Sequence, residues 1–260
     1  MTQQNRDSSS IHNFDFNLIC EYFSLLERQG PGSNSTTRLA LQLLRDLPEK
    51  PQFADLGCGS GASTLVLAQT ANVHIVALDL FPQFIEKLNE RAQREGLDNR
   101  IDGITGNMEA LPFDNEQFDV IWSEGAIYNI GFERGLREWK PFIRKGGYLV
   151  VSESSWLTDK RPYEIEQFWN DAYDKMDTVA HKVEQMQAAG YVCEAHVLLP
   201  NNCWTDNFYI PQQKIQSEFL KYHPNDPFAQ ELIMNQRREA EMYDKYKKYY
   251  GYVFYIGRVQ

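Results

Sequence analysis

Phe53-Ala54-Asp55-Leu56-Gly57-Cys58-Gly59-Ser60-Gly61-Ala62-Ser63-Thr64 runs from a short apolar segment to a carboxylate, then through three glycines set among small residues. This order predicts a strand that turns sharply into a helix. Glycine has no Cβ, so it accepts positive φ and lets a ligand approach the backbone. A helix that starts here leaves its first N–H groups unpaired and facing that ligand. Asp55, at the strand end, is placed to accept hydrogen bonds from the turn or from a cationic group. A nucleotide-like ligand is the expectation. Gly57, Gly59 and Ala62 also satisfy the G-x-G-x-x-G/A dinucleotide fingerprint, and Asp79 lies near the spacing at which an acid grips a ribose. From these residues alone a nicotinamide dinucleotide stays open.

On either side of the loop, strand-like and helix-like segments alternate. Residues 52–56 read as a strand and 62–71 as a helix. A β-branched strand, Val73–Leu78, ends on Asp79. Pro82 opens a helix that runs to about Glu95, where Gly96 closes it. Ile101–Thr105 and Phe118–Ser123 read as strands, 131–143 as a helix, and Lys145-Gly146-Gly147 as a turn into the strand Tyr148–Ser152. A helical region over 162–189 ends at Gly190, before the strand Tyr191–Leu199. The alternation predicts a mostly parallel α/β sheet covered by helices on both faces. Upstream, Leu18, Ile19, Tyr22, Phe23, Leu25 and Leu26 form an apolar helix face, and Gln29–Ser35 breaks the chain. Thr36 or Thr37 is the expected cap of a second helix that Pro48 and Pro51 end. Between Pro200 and Gly251 the rhythm is lost, and Tyr252–Val259 reads as a final strand. The reading is therefore a tail and lid helices over 1–47, an α/β core over 48–200, a helical insertion over 201–250 and a last core strand over 251–260.

The chain has 260 residues, long enough to bury a sizeable core, and a formal charge of −10, which opposes broad attraction to nucleic acid or anionic membranes. Its polar first residues carry no apolar signal core, and no stretch is long enough to span a membrane. Cys20, Cys58, Cys193 and Cys203 are scattered with no metal-finger spacing. A reduced, cytoplasmic protein without a metal site is expected. The bases of the insertion, Arg237-Arg238 and Lys245 to Lys248, alternate with acids and tyrosines and read as a solvated helix face.

The ordered motifs resemble the class I S-adenosylmethionine-dependent methyltransferases, in particular the small-molecule branch of the ubiquinone/menaquinone-biosynthesis type. Asp55-Leu56-Gly57-Cys58-Gly59-Ser60-Gly61 resembles the family's first motif, and Asp79 in Ala77-Leu78-Asp79-Leu80-Phe81 its second-strand acid. Gly106 to Phe113 resembles the adenine-contacting loop, and Phe118 to Gly125 the fourth strand and active-site edge. Arg144-Lys145-Gly146-Gly147 stands where relatives carry proline-glycine-glycine. The resemblance covers roughly residues 36–199 plus the final strand. It implies a Rossmann-like, seven-stranded sheet whose last strand is antiparallel, and S-adenosyl-L-methionine as cofactor. It assigns cofactor contacts to Asp55, Gly57, Cys58, Gly59, Gly61, Asp79, Leu80, Asn107, Met108 and Ser123. Asp79 would take the ribose hydroxyls and Leu80 one adenine face, with Ile130 or Ala126 on the other. Asn107 departs from the usual Gly-Asp and would accept from the adenine amino group without a charge.

The implied reaction is in-line methyl transfer to a small-molecule acceptor, which has to be held close, aligned and dry. Glu124, at the end of the fourth strand, is the candidate for binding a cationic acceptor or removing a proton, with Tyr128 the second candidate. Trp156, Trp204 and Tyr209, with Phe208, are expected on the acceptor side. His12, His74, His196 and His223 lack partners at ligand spacing, while His181 opens a helical stretch that could face the cleft. The chain is expected to act as a monomer or homodimer. Two other classes stay open: a non-catalytic module that binds the same cofactor, and a nicotinamide oxidoreductase.

Overall fold

The first strand, β1 (Gln52–Leu56), is buried from Phe53 onward and pairs in parallel with its neighbours on both sides, which is why its residues are apolar on both faces. The computed structural model describes residues 16–260, so His12 and the polar first residues lie outside it. Helices α1 (Phe16–Ser24) and α2 (Asn34–Gln42) precede β1. After it come α3 (Ala62–Thr70), β2 (His74–Asp79), α4 (Pro82–Arg94), β3 (Ile101–Thr105), β4 (Phe118–Glu124), α5 (Phe132–Trp139) and β5 (Ile143–Trp156). The chain continues through α6 (Tyr163–Ala172), β6 (Asp177–Thr178), α7 (Val179–Ala188) and β7 (Tyr191–Leu198). It ends with α8 (Asn202–Trp204), α9 (Ile210–Tyr222), α10 (Pro227–Tyr246) and β8 (Tyr250–Val259).

The strands lie in the order β3-β2-β1-β4-β5-β8-β7. Only β8 runs against the others, since both β5 and β7 pair with it antiparallel. The expected Rossmann-like sheet is thus present, with the two-residue β6 added beside β5. Strand order reverses between β1 and β4, and in such sheets the crevice beyond the strand ends at the reversal is where ligands bind. Two apolar clusters pack the sheet faces, one around Phe53, Trp122 and Phe254, the other around Ile121, Leu136 and Tyr255. A third, smaller cluster joins Leu18 and Tyr22 of α1 to Phe219 of α9 and to Ala229, Leu232 and Ile233 of α10. The N-terminal helix and the late insertion therefore form one cap, additionally tied by Tyr22 Oη donating to Gln212 (3.0 Å) and by the His223–Glu21 contact (2.9 Å).

Several boundaries differ from the sequence expectation, each for a local reason. Ser33, not Thr36 or Thr37, caps α2: its hydroxyl accepts from Thr36 N, and Thr36 accepts in return from Ser33 N. The helix of 131–143 stops at Trp139, because Pro141 has no N–H to donate, and a 3₁₀ turn follows at Lys140–Phe142. Lys145-Gly146-Gly147 is not a turn between elements but lies inside β5. There the β4 pairing shifts register, and a Cβ on Gly147 would stand 2.5 Å from Asp119 O. The helical region 162–189 is two helices, because Tyr173 is extended and Thr178 starts a new cap by accepting from His181 N.

Candidate active site

The glycine loop after β1 turns as its composition requires. Gly57, Gly59 and Gly61 all have positive φ (71°, 54° and 85°). Gly57 N and Cys58 N both donate to Leu78 O, so the loop is pinned to the end of β2. A Cβ on Gly57 would collide with that of Ala126 and approach Met108 Cε to 3.0 Å. The loop is therefore pressed between the end of β4 and the Met108 side chain. Met108 is itself held by Trp139 Nε1 donating to its carbonyl.

Asp79 closes the loop from the other side. Its Oδ2 accepts from Gly59 N (2.8 Å) and its Oδ1 from Phe81 N (3.0 Å). Each oxygen keeps a second lone pair, so the braced carboxylate can still accept from a pair of ligand hydroxyls. Burial raises the pKa of Asp79, and the bonds from Phe81 and Gly59 oppose that shift. Leu80 beside it is 53% exposed, an uncovered apolar surface next to the acid. Asp55 is wholly buried. Its Oδ2 accepts from Thr64 (2.7 Å) and Ser63 (3.1 Å), while Oδ1 has no hydrogen-bond partner among the described residues. Burial pushes its pKa up to about 7, against the lowering effect of the Thr64 bond and assisted by the nearby Glu124 charge. An orphaned carboxylate oxygen, a cradle that a Cβ would fill and a braced second acid fit a ligand carrying an ammonium and a ribose.

Other expected cofactor residues serve the fold. Ser123 is fully buried and donates to Leu56 O (2.8 Å), which ties β4 to β1 and leaves no hydroxyl face for a ligand. The Asn107 oxygen accepts from Glu109 N (2.9 Å), which holds the side chain in its own turn and leaves one lone pair for the adenine role expected of it. Cys58 is buried, and burial raises its thiol pKa, so it contributes backbone rather than chemistry.

Glu124 corrects a further expectation. Its Oε2 accepts from Arg28 (3.0 Å), and its Oε1 accepts from Thr37 (2.7 Å) and from Trp122 Nε1 (3.0 Å). The carboxylate holds the linker between α1 and α2 instead of standing free as a base. Gln29 completes that contact: its Oε1 accepts from Ser60 N, and its Nε2 donates to Ser60 Oγ (both 3.0 Å). The linker is also tied to the insertion, with Asn207 donating to Gly32 O (2.8 Å).

On the acceptor side, Tyr128 is 43% exposed, its ring edge-on to Tyr173 at 6.0 Å. Tyr173 donates to Glu153 (2.5 Å), which also accepts from the buried Lys182 (2.9 Å). Trp204 is core rather than an open acceptor surface. It is 1% exposed, stacks on Tyr243 at 4.5 Å and lies 5.0 Å from Tyr252. Trp156 is likewise buried, against Tyr250 and under the Arg161 guanidinium. Tyr209 is buried and donates to Glu239 (3.0 Å), an acid the sequence reading passed over. The signal for it is spacing: Leu232, Glu239, Tyr243 and Tyr246 fall on one stripe of α10, and the apolar members are buried. His181 pairs with Asp177, which raises its pKa, and it faces solvent. His74 and His223 likewise face carboxylates, Asp102 and Glu21.

Residues 54–151 match the family model described as a methyltransferase domain. Over that stretch the α/β core is similar to the methyltransferase domains. Among relatives, sarcosine/dimethylglycine N-methyltransferase of Aphanothece halophytica is 29% identical over 119 residues, 46% of this chain and 43% of that protein. The chain thus matches less than half the length of that relative. Among solved structures, a S-adenosylmethionine-dependent methyltransferase from Geobacter sulfurreducens in complex with S-adenosylhomocysteine superposes with a TM-score of 0.82 at 18% identity, covering 95% of this chain and 99% of that one. The [4+2]-cyclase SpnF superposes at 0.74 and 18% identity, covering 94% and 93%. At these identities the likeness is one of fold.

Proposed function

We propose that this protein transfers a methyl group from S-adenosylmethionine to a small-molecule acceptor. The observation that carries the reading is the braced loop, in which Asp79 spans Gly59 N and Phe81 N while Asp55 Oδ1, behind it, has no partner among the described residues. Asp79 would hold the ribose, Leu80 would cover the adenine, and the Gly57–Gly61 backbone would admit the methionine part. Asp55 would favour its ammonium through space. When bound, the cofactor supplies a methyl on a positively charged sulfur that departs as a neutral thioether. The chain itself has to position the acceptor and keep water out. The linker held by Arg28–Glu124 and Gln29–Ser60 closes over the loop, and the cap of α1, α9 and α10 supplies the roof.

Hydride transfer finds less support, because Leu80 and the Met108 contact to Gly57 have no part in it. A second reading has this chain bind S-adenosylmethionine without methyl transfer, since a fold of this shape also hosts a cyclase. Calorimetry with S-adenosylhomocysteine and with NAD tests the cofactor assignment, and methyl-tritiated S-adenosylmethionine with an acceptor panel tests transfer. Binding of NAD in preference to S-adenosylhomocysteine would overturn the proposal.

A further inference from the structure

The geometry points to an acceptor that is an amine, entering as an ammonium ion and held between the Glu239 carboxylate and a wall of tyrosine rings. This rests on the methyl-transfer reading and deepens it to a substrate class. Glu239 lies on the inward stripe of α10, four residues before the buried Tyr243 and seven before the buried Tyr246. Among the described residues its one hydrogen-bond partner is the Tyr209 hydroxyl, at 3.0 Å, so most of the carboxylate's accepting capacity is unused.

The surroundings of that carboxylate locate it. Burial first, and its charge in addition, raise the phenol pKa of Tyr128, Tyr209, Tyr250 and Tyr252, which come from the turn after β4, the π-helical turn at Thr205–Tyr209, and β8. Tyr128 is acted on by Asp79 as well. Its phenol is therefore within electrostatic reach of both the acid assigned to the cofactor and the acid on the insertion. Tyr252 closes the near side, its ring 3.6 Å from where a Cβ on Gly125 would be. Trp204 backs the wall, 5.0 Å from Tyr252 and 6.0 Å from Tyr209, with a buried Nε1 that has no hydrogen-bond partner among the described residues. Glu239 and Tyr128 both retain accessible surface, yet burial is the largest influence on each, as expected for side chains that line an enclosed space.

That space selects for positive charge. Beside the neighbouring phenols themselves, the charges acting on the four phenols are those of Glu239, Glu153 and Asp79. Two cations tied to this side of the sheet are paired, Arg28 with Glu124 and Lys182 with Glu153. Ring faces attract an ammonium through their quadrupole, more strongly when water is excluded. An anionic acceptor would meet only like charge, and a neutral one would leave Glu239 under-satisfied. The carboxylate also solves a chemical problem, since an ammonium nitrogen has no lone pair. Burial raises the Glu239 pKa, suiting it to take the proton. The N–H bond breaks with its electron pair left on nitrogen, an O–H bond forms on Glu239, and the neutral amine is free to act as nucleophile.

The test uses choline and its uncharged isostere 3,3-dimethylbutan-1-ol, titrated calorimetrically into the full chain with and without S-adenosylhomocysteine. Choline should bind at least about 10-fold more tightly than the isostere, as expected for a carboxylate assisted by desolvated rings. Glu239→Gln should reduce that preference to about threefold or less, with S-adenosylhomocysteine affinity unchanged. Equal binding of the pair, no choline binding, or a preference that survives Glu239→Gln would overturn the amine assignment. Should Glu239→Gln not fold, Tyr128→Leu at the more exposed ring has to weaken the preference, and an unchanged preference overturns it equally. Failure of S-adenosylhomocysteine to bind wild-type protein would instead sink the methyl-transfer reading.

Discussion

Arg28 and Glu124, 96 positions apart in the chain, form a 3.0 Å ion pair that is almost closed to water, the side chains 12% and 6% exposed. Glu124 ends β4 at the edge of the site, and Arg28 sits in the linker after α1. The pair therefore fastens the cap to the sheet where a ligand would lie beneath it. Removing one partner of a buried pair leaves an uncompensated charge, which is more damaging than never having had the pair. Arg28→Ala is expected to destabilise the protein by roughly 3 kcal/mol, read as a lower denaturation midpoint. Glu124→Gln keeps an acceptor for Thr37 and Trp122 and should be milder. If Glu124 were the base, that variant would lose about 10²-fold or more in kcat, whereas a latch predicts that the change falls mainly on KM.

Asp79 offers the most direct test of the cofactor site. Asp79→Ala removes the acceptor for Gly59 N and Phe81 N together with both ligand hydroxyl contacts proposed for it. Hydrogen bonds to a charged group contribute ~1.5–3 kcal/mol each, so S-adenosylhomocysteine affinity should fall at least about 100-fold. Calorimetry checks this, and Asp79→Asn, which keeps one accepting oxygen, should fall between the two. An affinity unchanged in the alanine variant would remove the ribose role.

What the sequence disclosed and what it concealed follow a physical line. The loop from Asp55 to Gly61, the acid at Asp79 and the order of strands are local signals, because positive φ, strand ends and periodicity are encoded within a few residues. The joining of α1 to α9 and α10 is not local. Tyr22 and Gln212 are 190 positions apart, and neither helix shows by itself which surface it covers. Glu239 was concealed for a different reason. Its neighbours Arg237, Arg238 and Glu241 make α10 read as a solvated charged face, and only the stripe through Leu232 and Tyr243 shows that this acid turns inward. Glu124 was legible as a site-edge acid, but its partners Arg28, Thr37 and Trp122 come together only in three dimensions.

The contact between Gly57 and Ala126 separates steric from conformational demands at the loop. Gly57→Ala should abolish measurable S-adenosylhomocysteine binding, since its Cβ meets Ala126 and its φ of 71° is unfavourable for an L residue. The double variant Gly57→Ala/Ala126→Gly removes the collision and leaves the backbone penalty of ~1–2 kcal/mol. Thermal denaturation should show the double variant partly recovered. Equal midpoints for the single and double variants would mean that the contact does not matter.

Asp55 gives the binding reaction a pH dependence with a definite sign. Its carboxyl is held at about 7 by burial, so below that pH the free protein carries it protonated and neutral. A positive charge entering the loop favours the ionised form and lowers this pKa in the complex. Binding below pH 7 therefore requires release of a proton, and affinity should fall by up to about tenfold for each unit of acidification. Above about pH 8 Asp55 is ionised before the ligand arrives, and its contribution to the slope should vanish. Titration of S-adenosylhomocysteine between pH 5.5 and 8.5, about the range spanned by this ionisation, checks the prediction, with buffers of different ionisation enthalpy counting the proton. Asp55→Asn cannot ionise, so its affinity should be lower than wild type at pH 8 and flat across the range. A wild-type curve that is equally flat, or one that rises toward acid, would show that no cation is felt at Asp55.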